Sequence, residues 1–241
     1  MAIEKHIPVM EQEVITGLNI KVNGIYIDAT FGRGGHTIAI LNKLAATGRV
    51  IVVDKDPEAI AIAKQLQKTD PRISVYHGSY TRLREFCIQE QVIGKVAGIV
   101  LDLGVSSPQL DQPARGFSFL KDGPLDMRMD QTVGISAAEW LARADVAEIT
   151  EVLKTYGEER YAKRIANAIC QGRQNKPITT TKALADIIVN VYPQQNQLNK
   201  HPATRSFQGI RIFINNELAD LQQVLPIIID VLAPTGRLVV I

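Results

Sequence analysis

Gly24-Ile-Tyr-Ile-Asp28-Ala-Thr-Phe-Gly32-Arg-Gly34-Gly35-His36 is a short apolar run that stops at an acid, turns through glycines and opens a helical pattern. Glycines there let the backbone pass close to a ligand, and the free N–H groups of a helix start attract a carboxylate or phosphate. Working outward, the same unit recurs. Apolar, β-rich runs at Arg49–Asp54, Ile73–His77 and Val96–Leu103 alternate with helix-like segments at Gly35–Ala46, Pro57–Lys68 and Thr81–Gln91. Asp56 is placed to cap the second helix, with Pro57 at its first position. Strands that are apolar almost throughout, each followed by a helix, predict an α/β fold with a parallel sheet covered on both faces.

After Leu103 the alternation stops. Ser106–Gly123 is rich in Pro, Gly, Ser and Asp and reads as a long ordered loop, of the kind usually tied to function. From Ser136 to about Tyr192 only helical patterns occur. Asp145 with Glu148 forms a capping-box pattern, and a helix over Glu158–Gln171 would pair Glu159 with Lys163. A long helix, roughly Arg205–Leu232 and kinked or divided at Pro226, leads back to a fifth strand at Arg237–Ile241. The expected organisation is therefore a Rossmann-like domain over 1–108 and 201–241, interrupted by a loop plus helical domain over 109–200.

Bulk properties exclude several classes. Of 241 residues 46% are apolar, enough to bury a core, and the net charge of +2 demands no polyanion, so any basic face must be local. Cys87 and Cys170 stand far apart with no ligand spacing, which argues against a disulfide framework and a zinc site. No signal peptide or membrane-spanning run is evident. The expectation is a soluble, cytoplasmic protein with no metal and no membrane partner.

The glycine turn itself is only moderately specific. A dinucleotide fingerprint needs Gly-x-Gly-x-x-Gly; Gly32 and Gly34 fit, but Thr37 takes the third place, which disfavours a nicotinamide oxidoreductase. An acid such as Asp28, separated by three residues from Gly-x-Gly, is instead the arrangement of Rossmann-like methyltransferases. Asp54, ending the second strand, can accept both ribose hydroxyls of an adenosyl ligand. Tyr80, after the third strand, either stacks on adenine or simply packs. Asp102, ending the fourth, points to the reactive end of a ligand at the switch point of the sheet.

Beyond these residues, Asp102-Leu-Gly-Val-Ser-Ser-Pro-Gln-Leu-Asp111, Arg115-Gly-Phe-Ser-Phe119 and Asp122-Gly-Pro-Leu-Asp-Met-Arg-Met-Asp130 resemble the MraW-type enzymes, the ribosomal RNA small subunit methyltransferase H family. His6-Ile-Pro-Val-Met10, Tyr156-Gly-Glu-Glu159 and His201-Pro-Ala-Thr-Arg-Ser-Phe-Gln208, running on to Arg211 and Asn215-Asn-Glu-Leu218, extend the likeness over almost the whole chain. The resemblance implies a class I methyltransferase sheet with an inserted all-helical domain. It implies N4-methylation of a decoding-region cytidine in 16S rRNA of the small ribosomal subunit, with S-adenosylmethionine as donor. Family cofactor contacts fall on Gly34, Gly35, His36, Asp54, Tyr80, Asp102 and Gln109, with Tyr80 where many members have Phe. A homodimer is left open. Family members continue past the fifth strand with a Ser-Phe-His-Ser-type motif and the last sheet strands, so the sequence is expected to be C-terminally truncated relative to them.

Residue chemistry then suggests roles. Asp102, or a backbone carbonyl in Leu103–Ser106, would accept the hydrogens of the amino group under attack; a purely cofactor-binding Asp102 is the equal alternative. His36, opening a helix beside glycines, reads as a backbone contact to the cofactor rather than a base. Phe117 and Phe119 are candidate stacking surfaces for a flipped base, or anchors of their own loop. Arg115, Arg128, His201, Arg205 and Arg211 are candidate phosphate contacts, with Arg205, Gln208 and Arg211 on one helix face. Alternatively they pair with Asp126, Asp130 or Glu217. Trp140 reads as core. A methyltransferase with another substrate, and a non-catalytic RNA-binding protein, remain as alternatives; the latter would not require Asp28, Gly34, Asp54 and Asp102 together.

Overall fold

The computed structural model describes residues 8–193 and 201–241; His6 and Ile7 of the N-terminal block lie outside them. A short helix α1 (Glu11–Leu18) precedes the repeating units β1 (Ile25–Asp28), α2 (Gly35–Leu41), β2 (Arg49–Asp54), α3 (Pro57–Thr69), β3 (Ile73–His77), α4 (Leu83–Gln89) and β4 (Val96–Leu101). Helices α5 (Ser107–Asp111), α6 (Ala137–Arg143), α7 (Val146–Thr155), α8 (Ala162–Asn175), α9 (Thr181–Val191) and α10 (Ala203–Ile214) follow. Then α11 (Glu217–Val231) leads to β5 (Leu232–Val240). The chain forms two compact units, 1–104 with 218–241, and 105–217.

In the first unit five parallel strands lie in the order β3-β2-β1-β4-β5. The order reverses between β1 and β4, which opens a crevice at their carboxyl ends. Side chains of β1, β2 and the end of β4 alternate between the two faces, and the alternation slips at Val96–Gly98, where the register with β5 shifts. Tyr26, Val50, Val52 and Val100 pack with Val14, Leu18, Ile40 and Ala63 on one face. Ile27, Ile51, Val53, Ile99 and Leu101 meet Leu83, Phe86, Val224 and Ile228 on the other. Both faces are dry because helices cover both, as the continuous apolar strands require. Asp56 accepts the Glu58 N–H at 2.9 Å, with Pro57 at the first helical position, so the cap of α3 forms as its sequence dictates.

The second unit has its own core, in which Trp140 (4% exposed) and Ile149, Ile165, Ile169 and Leu184 are buried. Asp145 caps α7 through the Glu148 N–H (2.8 Å), while the Glu148 carboxylate accepts from the Trp140 indole (2.6 Å). Four features depart from the sequence reading. First, α8 begins only at Ala162, and Glu159 turns inward. It is 3% exposed, accepting from Tyr192 Oη (2.6 Å), the Tyr161 N–H (3.1 Å) and Ser206 Oγ (3.2 Å) rather than pairing with Lys163.

Second, the long helix divides at Asn215-Asn216 and not at Pro226, which lies inside α11. Asn215 draws the chain out of helix by donating from Nδ2 to the Met127 and Arg211 carbonyls (2.7 and 2.9 Å) and accepting the Met129 N–H (2.7 Å). Asn216 then takes a left-handed turn at φ 54°. Third, α10 packs in the helical unit, so the seams fall at 104/105 and 217/218. Gly209 is the reason: a Cβ there would lie 2.8 Å from the Gly157 nitrogen, so only glycine lets α10 press against the end of α7. The fifth strand also starts earlier than expected, at Leu232. Among the described residues no helix is long and apolar enough to cross a membrane.

Candidate active site

The loop after β1 is woven into the sheet's carboxyl edge. Ala29 N–H donates to the Val100 carbonyl (3.0 Å) and Phe31 N–H to that of Val53 (3.2 Å), tying the loop to β4 and β2. Gly34 sits at φ +80°, where a Cβ would lie 2.7 Å from the Phe31 ring, so both conformation and space demand glycine. Three carboxylates meet around this loop. They are electrostatically coupled, Asp54 to Asp28 and Asp28 to Asp102.

Asp28 is 1% exposed. It accepts from Thr37 Oγ1 (2.6 Å) and the Thr30 N–H (3.3 Å). Burial pushes its pKa up, offset in part by Thr37 and by His36. Asp54 accepts the Gly32 N–H at Oδ2 and the Asp56 N–H at Oδ1, both at 2.8 Å. Burial still raises it to about 6. A carboxylate has roughly four acceptor positions, so two remain on Asp54 for a ligand's hydroxyls. Asp102 is held by its backbone: its N–H donates to Thr30 Oγ1 (2.7 Å), leaving a side chain 41% exposed, 3.6 Å from His36 Nε2.

The remaining expected cofactor residues are placed differently. Tyr80 is 8% exposed and belongs to the apolar cluster of Ile27, Ile51 and Leu83, so in this structure it packs rather than offering an open face. Gln109 belongs to the second unit, where its Oε1 accepts the Ser106 N–H (3.0 Å) and caps α5. Gly32, Gly35 and His36 lie in the loop and first turn of α2, with the His36 side chain buried.

Of the residues expected to meet RNA, most are committed within the second unit. Arg115 is 4% exposed and donates from Nη2 to the carbonyls of Arg128 (3.2 Å) and Met129 (2.8 Å). Its guanidinium lies 5.8 Å from the centre of the buried Phe117 ring. Arg128 forks onto Asp126 (2.9 and 2.7 Å), and Arg211 onto Glu217 (2.7 and 2.8 Å). Phe119 stacks on His201 (4.5 Å) and meets Phe207 edge-on (4.8 Å). His201, Arg205 and Gln208 are exposed. Arg205 donates to the Glu158 carbonyl (3.2 Å) through one nitrogen of its fork. Sequence reading overlooked Arg160 and Arg164, both exposed and each with its guanidinium 5.6 Å from the Tyr161 ring centre. Basic residues four apart beside an aromatic were the available signal.

A parallel sheet with acids at the carboxyl ends of β1, β2 and β4 around a glycine turn defines a Rossmann-like α/β protein suited to an adenosine-bearing ligand. Residues 3–241 match the MraW methylase family, and the chain belongs to it. Among solved structures, an rRNA methylase from Streptococcus thermophilus is 19% identical over 43% of this chain and 58% of its own, with a TM-score of 0.32. A SAM-dependent O-methyltransferase from Thermotoga maritima is 16% identical over 40% and 35%, at 0.33. Aeropyrum pernix fibrillarin with natively bound S-adenosyl-L-methionine is 16% identical over 43% and 42%, at 0.30. The chain thus spans less than two thirds of each.

The residues present fit the methyl donor. Asp54 has acceptor capacity for two hydroxyls, and the coupled carboxylates of Asp28 and Asp102 favour a ligand that brings positive charge, as a sulfonium and an ammonium do. Lys55, a nearby cation in sequence, is itself paired with Asp220 at 2.6 Å.

Proposed function

We propose that the chain transfers the methyl group of S-adenosylmethionine to N4 of a cytidine in the decoding region of 16S rRNA, acting on the small ribosomal subunit in the cytoplasm. The meeting of Asp28, Asp54 and Asp102 at one sheet edge, in a chain matched to its family over 3–241, carries this reading. When bound, the donor supplies an electrophilic methyl carbon on a sulfonium. Asp54 holds the ribose, and Asp28 orients the methionine part. Asp102 faces the acceptor.

The exocyclic amine of cytosine is a poor nucleophile because its lone pair is delocalised into the ring. An acceptor for the amino hydrogens lets the nitrogen rehybridise and removes its proton as the bond to carbon forms. Asp102 suits this task because its backbone is pinned while its carboxylate stays open. The base must leave its stack to reach such a site. The helical unit supplies RNA contacts through the exposed His201, Arg205 and Gln208 at the start and along one face of α10.

The test is incubation with small subunits that lack the modification, followed by nucleoside mass spectrometry. N4-methylcytidine that appears only with donor present is the expected product. A methyl group found on another atom, with the donor bound normally, would refute the assignment.

A further inference from the structure

We infer that the His36 side chain is a positioning residue for Asp102, holding that carboxylate in the orientation that receives the amino hydrogen. This rests on the methyl-transfer reading above and concerns the imidazole, not the backbone of His36. The His36 ring is 5% exposed, and among the described residues neither Nδ1 nor Nε2 has a hydrogen-bond partner. A neutral imidazole has one donor and one acceptor, and burying both unpaired is unfavourable. Asp102 Oδ2 lies 3.6 Å from Nε2. Catalytic hydrogen bonds are often this long in a free protein and shorten when ligands arrive.

The surroundings leave the ring little else to do. Thr37, its neighbour in the first turn of α2, is fixed to Asp28 at 2.6 Å, and the Asp102 backbone to Thr30 at 2.7 Å. One segment, 28–37, therefore sets both backbones, and only the two side chains have freedom to meet. Asp28, from β1, is the second carboxylate coupled to the ring. The first turn of α2 carries no acid, and α1 contributes the buried apolar Val14 and Leu18.

A carboxylate that is 41% exposed swings about its side-chain torsions. A donor at Nε2 pins one oxygen and leaves the other for the amine. As the nitrogen lone pair forms the bond to the methyl carbon, the carbon–sulfur pair departs with sulfur. The amino proton passes to the free oxygen of Asp102, and from there to solvent on its exposed side.

Two variants separate positioning from packing. His36→Gln keeps a terminal N–H donor, whereas His36→Phe fills the ring's volume without one. Single-turnover transfer should slow about 10- to 100-fold in H36F and recover most of the way in H36Q. Affinity for S-adenosylhomocysteine should change less than about threefold in either, since the interaction acts on the chemical step. Independently of any ligand, the His36 ring 15N signals should move in Asp102→Asn while those of His77 and His201 stay. Equal or better transfer by H36F than by H36Q overturns the role, as do unmoved His36 signals in D102N. If the wild-type chain binds no S-adenosylhomocysteine, the methyl-transfer reading itself falls, and the positioning role with it.

Discussion

At the carboxyl ends of β1, β2 and β4 the polar side chains hold capacity in reserve, whereas in the segment 113–130 they are committed to one another. Among the described residues, Asp54 uses two of its acceptor positions, Asp102 none that is fixed by a hydrogen bond, and both His36 nitrogens are without a hydrogen-bond partner. Arg115 and Arg128, by contrast, bind the carbonyls and the Asp126 carboxylate of their own loop, and Arg211 grips Glu217. Phe117 and Phe119 are anchors within the same unit. Both regions are dense in motif residues, yet one is arranged for a ligand and the other to hold its own shape. Residual hydrogen-bonding capacity, more than residue type, separates them.

The contrast is open to attack at several points. The largest effect is expected at Asp102: D102N should slow single-turnover transfer about 10²- to 10³-fold with donor-product affinity kept. Full-rate turnover by that variant would move Asp102 to the binding side alone. Next, Arg115→Ala should lower stability by about 3 kcal/mol in denaturant unfolding, because a buried side chain is removed and two part-buried carbonyls lose a charged donor. If RNA affinity fell instead and stability held, the loop would belong with the ligand-facing group. Asp54→Ala should weaken S-adenosylhomocysteine binding roughly tenfold to a hundredfold in calorimetry, through lost hydrogen bonds to a charged acceptor.

Acidity gives a fourth test. Folding raises Asp54 to about 6 through burial, above its unfolded value near 3.9. Its contribution to stability is therefore full below about pH 4 and is lost as pH rises through about 6, on the order of 3 kcal/mol. Donor binding has the opposite sign, since hydroxyl donors favour the carboxylate, and should strengthen across the same range. Replacement by Asn should flatten both curves in thermal melts and titration calorimetry. The smallest effect is at the surface: Arg205→Ala should reduce the salt slope of RNA binding by about 1, while Arg211→Ala should act mainly on the melting temperature.

Much of this was legible along the chain. The β-α rhythm up to Leu101, the cap at Asp56-Pro57 and the helical character of the insertion all follow from local periodicity and terminus chemistry. The acids at strand ends were legible too, because a polar residue closing an apolar strand has few places to go but the sheet's edge. Hidden from that reading were the break at Asn215-Asn216, the inward turn of Glu159 and the commitment of Arg115. Each depends on partners far off in sequence: Met127 and Met129 for Asn215, Tyr192 and Ser206 for Glu159, the 128–129 carbonyls for Arg115.

The division has a physical basis. Periodicity, caps and glycine conformation act over a few residues, so the order of amino acids alone specifies the strands, the glycine turn and the class of ligand they suit. Whether a given arginine, histidine or aspartate is satisfied depends on burial and on which distant groups fold back against it. That was settled only when the chain closed, and it left both His36 ring nitrogens without a hydrogen-bond partner among the described residues while the Arg211 guanidinium had its fork filled by Glu217.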